Sequence, residues 1–299
     1  MNNHQKIILG IFLVSIFSCG RVNKDTFEFS LEEFNHNGLK REYIYYAPEN
    51  LKKDAPLVVV LHGFTSSAEK IMNYSKINTL AEENNFAVVY PQGSLDKNSN
   101  TFWNVGYTFH PDVTIDDVNF IVALVKYLQN RYSLSVTNTF LTGMSNGGEM
   151  CYLLACNHPE VFSAIAPVAG MMLQSFFDNC DSMNPIPVFA VFGTDDEVTN
   201  FSGDLLDEDG WGSYISIPST IEYWAKRIDY DVVEIDTLHN INMNDSSFIV
   251  SESYLNSQTE KEVLFYKIIH GGHEWPGAWG NMDVSISNEI WNFFKIYIE

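Results

Sequence analysis

Thr139-Phe140-Leu141-Thr142-Gly143-Met144-Ser145-Asn146-Gly147-Gly148 sets a serine between glycines, after a short apolar and β-branched run. The run predicts a strand at Thr139 to Leu141, and the residues from about Gly147 to Cys156 predict a helix. A G-x-S-x-G sequence between strand and helix predicts a turn too tight for β-carbons beside the serine. Such a turn lifts the serine Oγ above the sheet edge at a helix N-terminus. Ser145 is therefore the candidate nucleophile, because Ser66 and Ser67 lack flanking glycines.

Working outward, Leu57 to Leu61 and Phe86 to Tyr90 are apolar, largely β-branched runs without polar alternation, as expected of parallel strands covered on both faces. Val118 to Leu128 repeats apolar residues at helical spacing after Asp116 and Asp117, whose charges suit a helix N-terminus. Further strands are expected at Phe162 to Val168, Val188 to Phe192 and Glu262 to Ile269. Further helices are expected at Pro218 to Ile228 and Val284 to Ile298. At the front, Phe27 to Phe34 and Leu39 to Ala47 predict an antiparallel pair joined by Asn37-Gly38. The sum is an α/β protein: a mostly parallel central sheet with antiparallel first strands and helices on both faces. The acidic stretch 202–216, which contains Trp211, reads as a surface loop or a lid.

A serine hydroxyl is a weak nucleophile and needs a base, which in turn needs a carboxylate to fix its tautomer. In the α/β-hydrolase order the acid and then the histidine follow the serine, which leaves His158, His239, His270 and His273. His273 lies in Gly271-Gly272-His273-Glu274-Trp275-Pro276-Gly277, a glycine-flanked loop after the last expected strand, and is the candidate base. Asp196, in Gly193-Thr194-Asp195-Asp196-Glu197, follows the strand before it and is the candidate acid, with Asp195 its rival. Leu61-His62-Gly63-Phe64-Thr65 is placed to supply one oxyanion donor, Phe64 N–H with Thr65 in reserve, and Asn146 N–H the other. His62 is expected to brace that loop. Trp103 and Trp275 are candidate walls of a substrate pocket, with core packing the alternative. No metal and no cofactor is expected: Asp204 to Asp209 lack calcium-loop spacing, and His270 with His273 has no zinc-site context.

The chain has 299 residues and a formal charge of −21, which argues against nucleic acid as a partner because phosphate binding needs clustered Lys and Arg. Residues 1–18 are expected to be a signal peptide of the lipoprotein type. Lys6 precedes the apolar run Ile7 to Phe17, and Ser18-Cys19-Gly20 resembles a bacterial lipobox. Cys19 would then carry the lipid and be the only membrane contact, 19–26 a tether, and 27–299 a single catalytic domain, exported and monomeric. In an oxidising compartment Cys156 with Cys180 is the favoured disulfide, tying the helix after Ser145 to the loop before the next strand. Cys151 would be a buried small hydrophobe, and three free thiols is the alternative.

With these residues in place the sequence resembles the polyhydroxybutyrate-depolymerase-like and feruloyl-esterase-like family of secreted esterases, akin to carbohydrate esterase family 1. The resemblance runs through Leu61-His62-Gly63, Tyr90-Pro91-Gln92-Gly93, Trp103-Asn104, Asp116 to Ile121, Gly143 to Gly148, Ala166-Pro167-Val168-Ala169-Gly170, Gly193-Thr194 with Asp196, and Gly272 to Gly277. It departs at Glu197, where the family usually has proline, and at His270, which interrupts a glycine run. The resemblance implies a Ser145, His273, Asp196 triad and supports the Cys156 to Cys180 pairing. It also implies hydrolysis of an ester, feruloyl or acetyl esters of polysaccharide first and hydroxyalkanoate polyester second. A serine peptidase or acyltransferase with the same triad, and a non-catalytic glycan-binding lipoprotein, are the other readings.

Overall fold

The computed structural model describes residues 29–180 and 184–299. The expected signal peptide, Cys19, the tether and Phe27 lie outside the described residues. Among the described residues, no helix is long and apolar enough to cross a membrane.

In chain order the elements are β1 (Leu31–His36), β2 (Leu39–Tyr46), β3 (Leu57–Leu61), α1 (Ala68–Ser75), α2 (Ile77–Asn84), β4 (Ala87–Pro91), the short pair β5 (Ser94–Leu95) and β6 (Thr101–Phe102), and α3 (Asp117–Tyr132). Then follow β7 (Thr139–Met144), α4 (Asn146–Asn157), β8 (Ala164–Val168), α5 (Gln174–Asn179), β9 (Val188–Gly193), α6 (Ile217–Arg227), β10 (Val232–Thr237), β11 (Phe248–Leu255), β12 (Glu262–Ile269) and α7 (Ile286–Phe294). Ten strands form one sheet in the order β1-β2-β4-β3-β7-β8-β9-β12-β11-β10. The run from β4 to β12 is parallel, and both flanks are antiparallel.

The strand interiors divide by parity, as a period of two requires. Leu57, Val59, Leu61, Leu141, Ile165 and Ala190 face a core shared with α3, α4 and α6. Val58, Val60, Phe140, Ala164, Ala166 and Val191 face a second core shared with α1, α2 and α7. Helices therefore cover both faces of the sheet.

The first hairpin departs from the expected Phe27 to Phe34. Asn37 and Gly38 both have positive φ, 50° and 80°, and the two-residue turn pairs His36 with Leu39, so the strand runs on to His36. The antiparallel β10 and β11 were not expected from the sequence. Asp116 caps α3 through its Oδ1, which accepts Asn119 N–H at 3.0 Å. Its neighbour Asp117 turns inward to a buried ion pair with Arg41 of β2 at 2.7 Å and accepts Asn104 N–H at 2.7 Å. Asp117 thereby ties Asn104, just after β6, and Arg41 of β2 to the start of α3.

Candidate active site

Ser145 joins β7 to α4 with φ 55° and ψ −121°, a positive-φ backbone conformation that a non-glycine residue holds at a cost of about 1–3 kcal/mol. Its N–H donates to Val168 O at 2.8 Å. The flanking glycines are required by contact rather than by their own φ. A β-carbon on Gly147 would lie 2.3 Å from Leu61 O, and one on Gly143 would lie 2.6 Å from the Gly147 carbonyl. The end of β3 thus presses directly on the first turn of α4. A β-carbon on Gly63 would lie 3.3 Å from Ser145 Cβ, so the loop after β3 runs beside the serine.

The loops after β9 and β12 bring Asp196 and His273 together. Asp196 Oδ2 accepts His273 Nδ1 at 2.7 Å, while its Oδ1 accepts the N–H groups of Val198 and Thr199 at 2.8 and 2.9 Å. The carboxylate is fully buried and the imidazole 19% exposed. An ionised carboxylate only accepts, so Nδ1 carries the ring proton and Nε2 is left as the basic nitrogen. Glu274 holds this loop from behind, accepting Gly272 N–H at 3.1 Å and Asn281 N–H at 2.9 Å. Among the described residues no hydrogen bond joins Ser145 Oγ to the His273 ring.

The rival residues go elsewhere. Asp195 pairs with His270 Nδ1 at 3.1 Å on the exposed side of the same loops, and that bond lowers the Asp195 pKa. His158 pairs with Glu160 on the surface, and His239 is exposed. Thr65 N–H is consumed by Thr101 O at 2.8 Å, whereas Phe64 N–H and Asn146 N–H have no acceptor among the described residues. His62 is buried between two backbone partners. Gly63 O lies 2.7 Å from Nδ1, and Gly93 N–H donates to Nε2 at 2.9 Å. A carbonyl accepts and an amide donates, so the proton sits on Nδ1. Burial, above all, lowers the His62 pKa to about 4, and the neutral ring braces the loop carrying Phe64.

Trp103 and Trp275, expected as pocket walls, are core residues instead, 0% and 1% exposed. The Trp103 indole N–H donates to His62 O at 2.8 Å and the Trp275 indole N–H to Ser287 Oγ at 3.0 Å, so each ring is anchored inside by its one polar atom. Trp275 does border a cavity of about 490 Å3 with Tyr74 and Trp279, but none of Ser145, His273 and Asp196 lines it.

A different aromatic cluster stands against Phe64. Tyr107 stacks on Phe109 at 5.0 Å, and Trp211 meets Tyr107 at 5.2 Å, Phe109 at 5.6 Å and Phe64 at 5.9 Å. Phe109 remains 37% exposed. Trp211 is delivered by the 202–216 stretch, which is folded on itself: Asp204 and Tyr214 exchange backbone hydrogen bonds at 3.0 Å, and Asp204 Oδ2 accepts Asp209 N–H at 2.8 Å. Tyr107 and Phe109 carry no motif, and only the aromatic density of 102–110 could have marked them. At the far end of α4, Cys156 and Cys180 form a disulfide, and Cys151 is a buried free thiol.

With this geometry established, comparison with known proteins places the chain. A bifunctional acetylxylan esterase/xylanase of Neocallimastix patriciarum is 27% identical over 55% of this chain and 22% of its own length. Poly(3-hydroxyalkanoate) depolymerase C of Paucimonas lemoignei is 32% identical over 76% of this chain and 51% of its own. The chain thus spans about half or less of the length of these curated relatives. The solved structure of an acetyl xylan esterase from Aspergillus awamori superposes with a TM-score of 0.62, covering 89% of this chain and 99% of that one. At 18% identity that likeness shows the fold, which is the α/β-hydrolase fold. The family model described as esterase PHB depolymerase matches residues 41–191, half of the chain, which therefore belongs to that family.

Proposed function

We propose that this chain hydrolyses carboxylic esters through an acyl-enzyme on Ser145. The observation that carries the reading is the 2.7 Å bond from the His273 ring to a buried, otherwise backbone-satisfied Asp196. It leaves Nε2 as the basic nitrogen, in a chain that holds Ser145 on a strained strand-to-helix turn. Ser145 Oγ attacks the ester carbonyl carbon and Nε2 takes its proton. Phe64 N–H and Asn146 N–H, both without another acceptor among the described residues, hold the oxyanion. The imidazolium returns the proton to the leaving alcohol, water repeats the sequence on the acyl-enzyme, and the free acid departs. In unliganded enzymes the bond from nucleophile to base is often long and tightens with substrate, consistent with its absence here.

For the substrate we favour feruloyl or acetyl esters of polysaccharide, with hydroxyalkanoate esters second. The exposed edge of the Phe64, Tyr107, Phe109 and Trp211 cluster supports a planar acyl group beside the oxyanion donors. Export with Cys19 as lipid tether belongs to the same proposal. The test is hydrolysis of feruloyl, acetyl and hydroxybutyrate esters of one alcohol, alongside peptides and sugar acceptors. Release of free acid, with kcat down by about 10³ or more in Ser145→Ala, supports the reading. Full ester hydrolysis by Ser145→Ala, or turnover of peptides alone, refutes it.

A further inference from the structure

Glu149 lies one helical turn after Ser145, its N–H donating to Ser145 O at 2.9 Å, and no step of ester hydrolysis above uses its side chain. An acid in the first turn of a helix ordinarily faces solvent and complements the dipole. This one is 1% exposed. Two donors converge on its Oε2: the Tyr107 hydroxyl in a short contact and Asn146 Nδ2 at 3.4 Å. No Lys, Arg or His forms an ion pair with it among the described residues. The titratable and polar groups that face it are Tyr107 from the 103–110 segment, Asn146 from its own helix and, at longer range, His273 from the loop after β12.

Each partner leads to one side of the candidate site. Asn146 is clamped to the Trp103 backbone, accepting its N–H at 2.7 Å and donating to its carbonyl at 3.1 Å, and Asn146 N–H is the second proposed oxyanion donor. Tyr107 is the most buried ring of the aromatic cluster and contacts Phe64, Phe109 and Trp211. A carboxyl buried without a cation is costly, and packing alone would be served by a leucine or methionine of similar volume.

Resting on the reading of Ser145 as nucleophile and Asn146 as oxyanion donor, we infer that Glu149 is a positioning residue for that reaction. Its carboxyl ties Asn146 to Tyr107 and so holds the oxyanion side and the aromatic wall in fixed register. The role needs an acceptor, not a charge. Burial raises the Glu149 carboxyl to about 7, so it is mainly neutral in mild acid and ionises across neutrality. Once ionised, it opposes the negative charge that develops on the substrate oxygen.

The experiment is kcat and KM for one ester from pH 5.5 to 8.5 in wild type, Glu149→Ala, Glu149→Gln and Tyr107→Phe, with folding checked by circular dichroism. Glu149→Ala is expected to lower kcat by about tenfold or more with a smaller change in KM, since misplacing one oxyanion donor acts on the transition state. Glu149→Gln, which keeps the acceptor, should recover most of the loss at pH 6. Its kcat relative to wild type should then rise at least about threefold by pH 8.5, because only wild type acquires the charge. If Glu149→Ala does not fold, Tyr107→Phe supplies the kcat test, with a loss of about threefold or more expected from the missing donor. Unchanged kcat in Glu149→Ala or in Tyr107→Phe, or a Gln-to-wild-type ratio that is flat with pH, overturns the proposal. Ser145→Ala separates the two readings. If it is inactive while Glu149→Ala matches wild type, only the role of Glu149 fails; if it is active, the nucleophile assignment fails.

Discussion

Replacing Glu149 with Gln should make the protein more stable in alkali than in acid relative to wild type. The carboxyl titrates at 4.5 when unperturbed and at about 7 in the folded chain, where burial is the largest cause. Below pH 4.5 both states are protonated and the residue adds no pH-dependent term. Between 4.5 and 7 the unfolded chain releases its proton while the folded chain keeps it. The folded state then binds more protons, and stability falls as pH rises. Above 7 both states are ionised and the penalty reaches its full value, about 3 kcal/mol for a shift of this size. Between pH 5 and pH 8 the difference between Glu149→Gln and wild type should therefore move by about 2–3 kcal/mol in favour of the variant. For a chain this long that is roughly 3–5 °C in Tm. Thermal or guanidinium unfolding of both proteins at pH 5, 6, 7 and 8 measures it, and titrations common to both cancel in the difference. Stability curves that run parallel across this range refute the claim that the Glu149 carboxyl is forced toward its neutral form.

The remaining perturbations probe other parts of the account. His62, held near 4 by burial against 6.5 unfolded, binds fewer protons than the unfolded chain as pH falls through that window, so its contribution is lost in acid. The advantage of wild type over His62→Gln should shrink by about 3 kcal/mol between pH 7 and pH 4, read by urea unfolding; an advantage independent of pH contradicts the assignment. Opening the 24-residue loop closed by Cys156 and Cys180 with a Cys156→Ser, Cys180→Ser pair should cost about 3 kcal/mol in guanidinium unfolding, with kcat nearly unchanged. Trp211→Ala should raise KM for a feruloyl ester by about fivefold or more, while changing KM for the acetyl ester of the same alcohol less than about twofold. Equal effects on the two esters would remove Trp211 from the acyl pocket.

What the sequence made visible follows from which forces act locally. The β3 and β12 boundaries match their runs to the residue, and α3, α4 and α6 differ at their ends by a few residues at most, because apolar period and caps are written in neighbouring positions. By contrast, β10 and β11 mix apolar residues with polar ones such as Glu234, Asp236, Ser251 and Glu252, and β10 is mostly exposed. Their β-branched and aromatic residues favour extended backbone, but their place at the edge of the sheet comes from pairing outward from β12, a tertiary effect. Ser145, His273 and Asp196 stood out because glycine-flanked loops at strand ends announce where side chains can be presented. Trp103 and Trp275 were recognisable as aromatic, but whether an indole faces solvent depends on the acceptor its N–H finds, and His62 O and Ser287 Oγ are distant in sequence. Glu149 was hidden for a related reason. Its position suits an ordinary helix dipole, and only the approach of Tyr107 from 42 residues away turns it into a buried link.

The most direct measurement of the central claim is peptide mapping by mass spectrometry after reaction with a fluorophosphonate, or with an aryl ester quenched in acid. The account predicts a single adduct on Ser145, absent from Ser145→Ala and strongly reduced in His273→Ala while both variants remain folded. An adduct on Ser66 or Ser67, or undiminished labelling of Ser145→Ala, would contradict it.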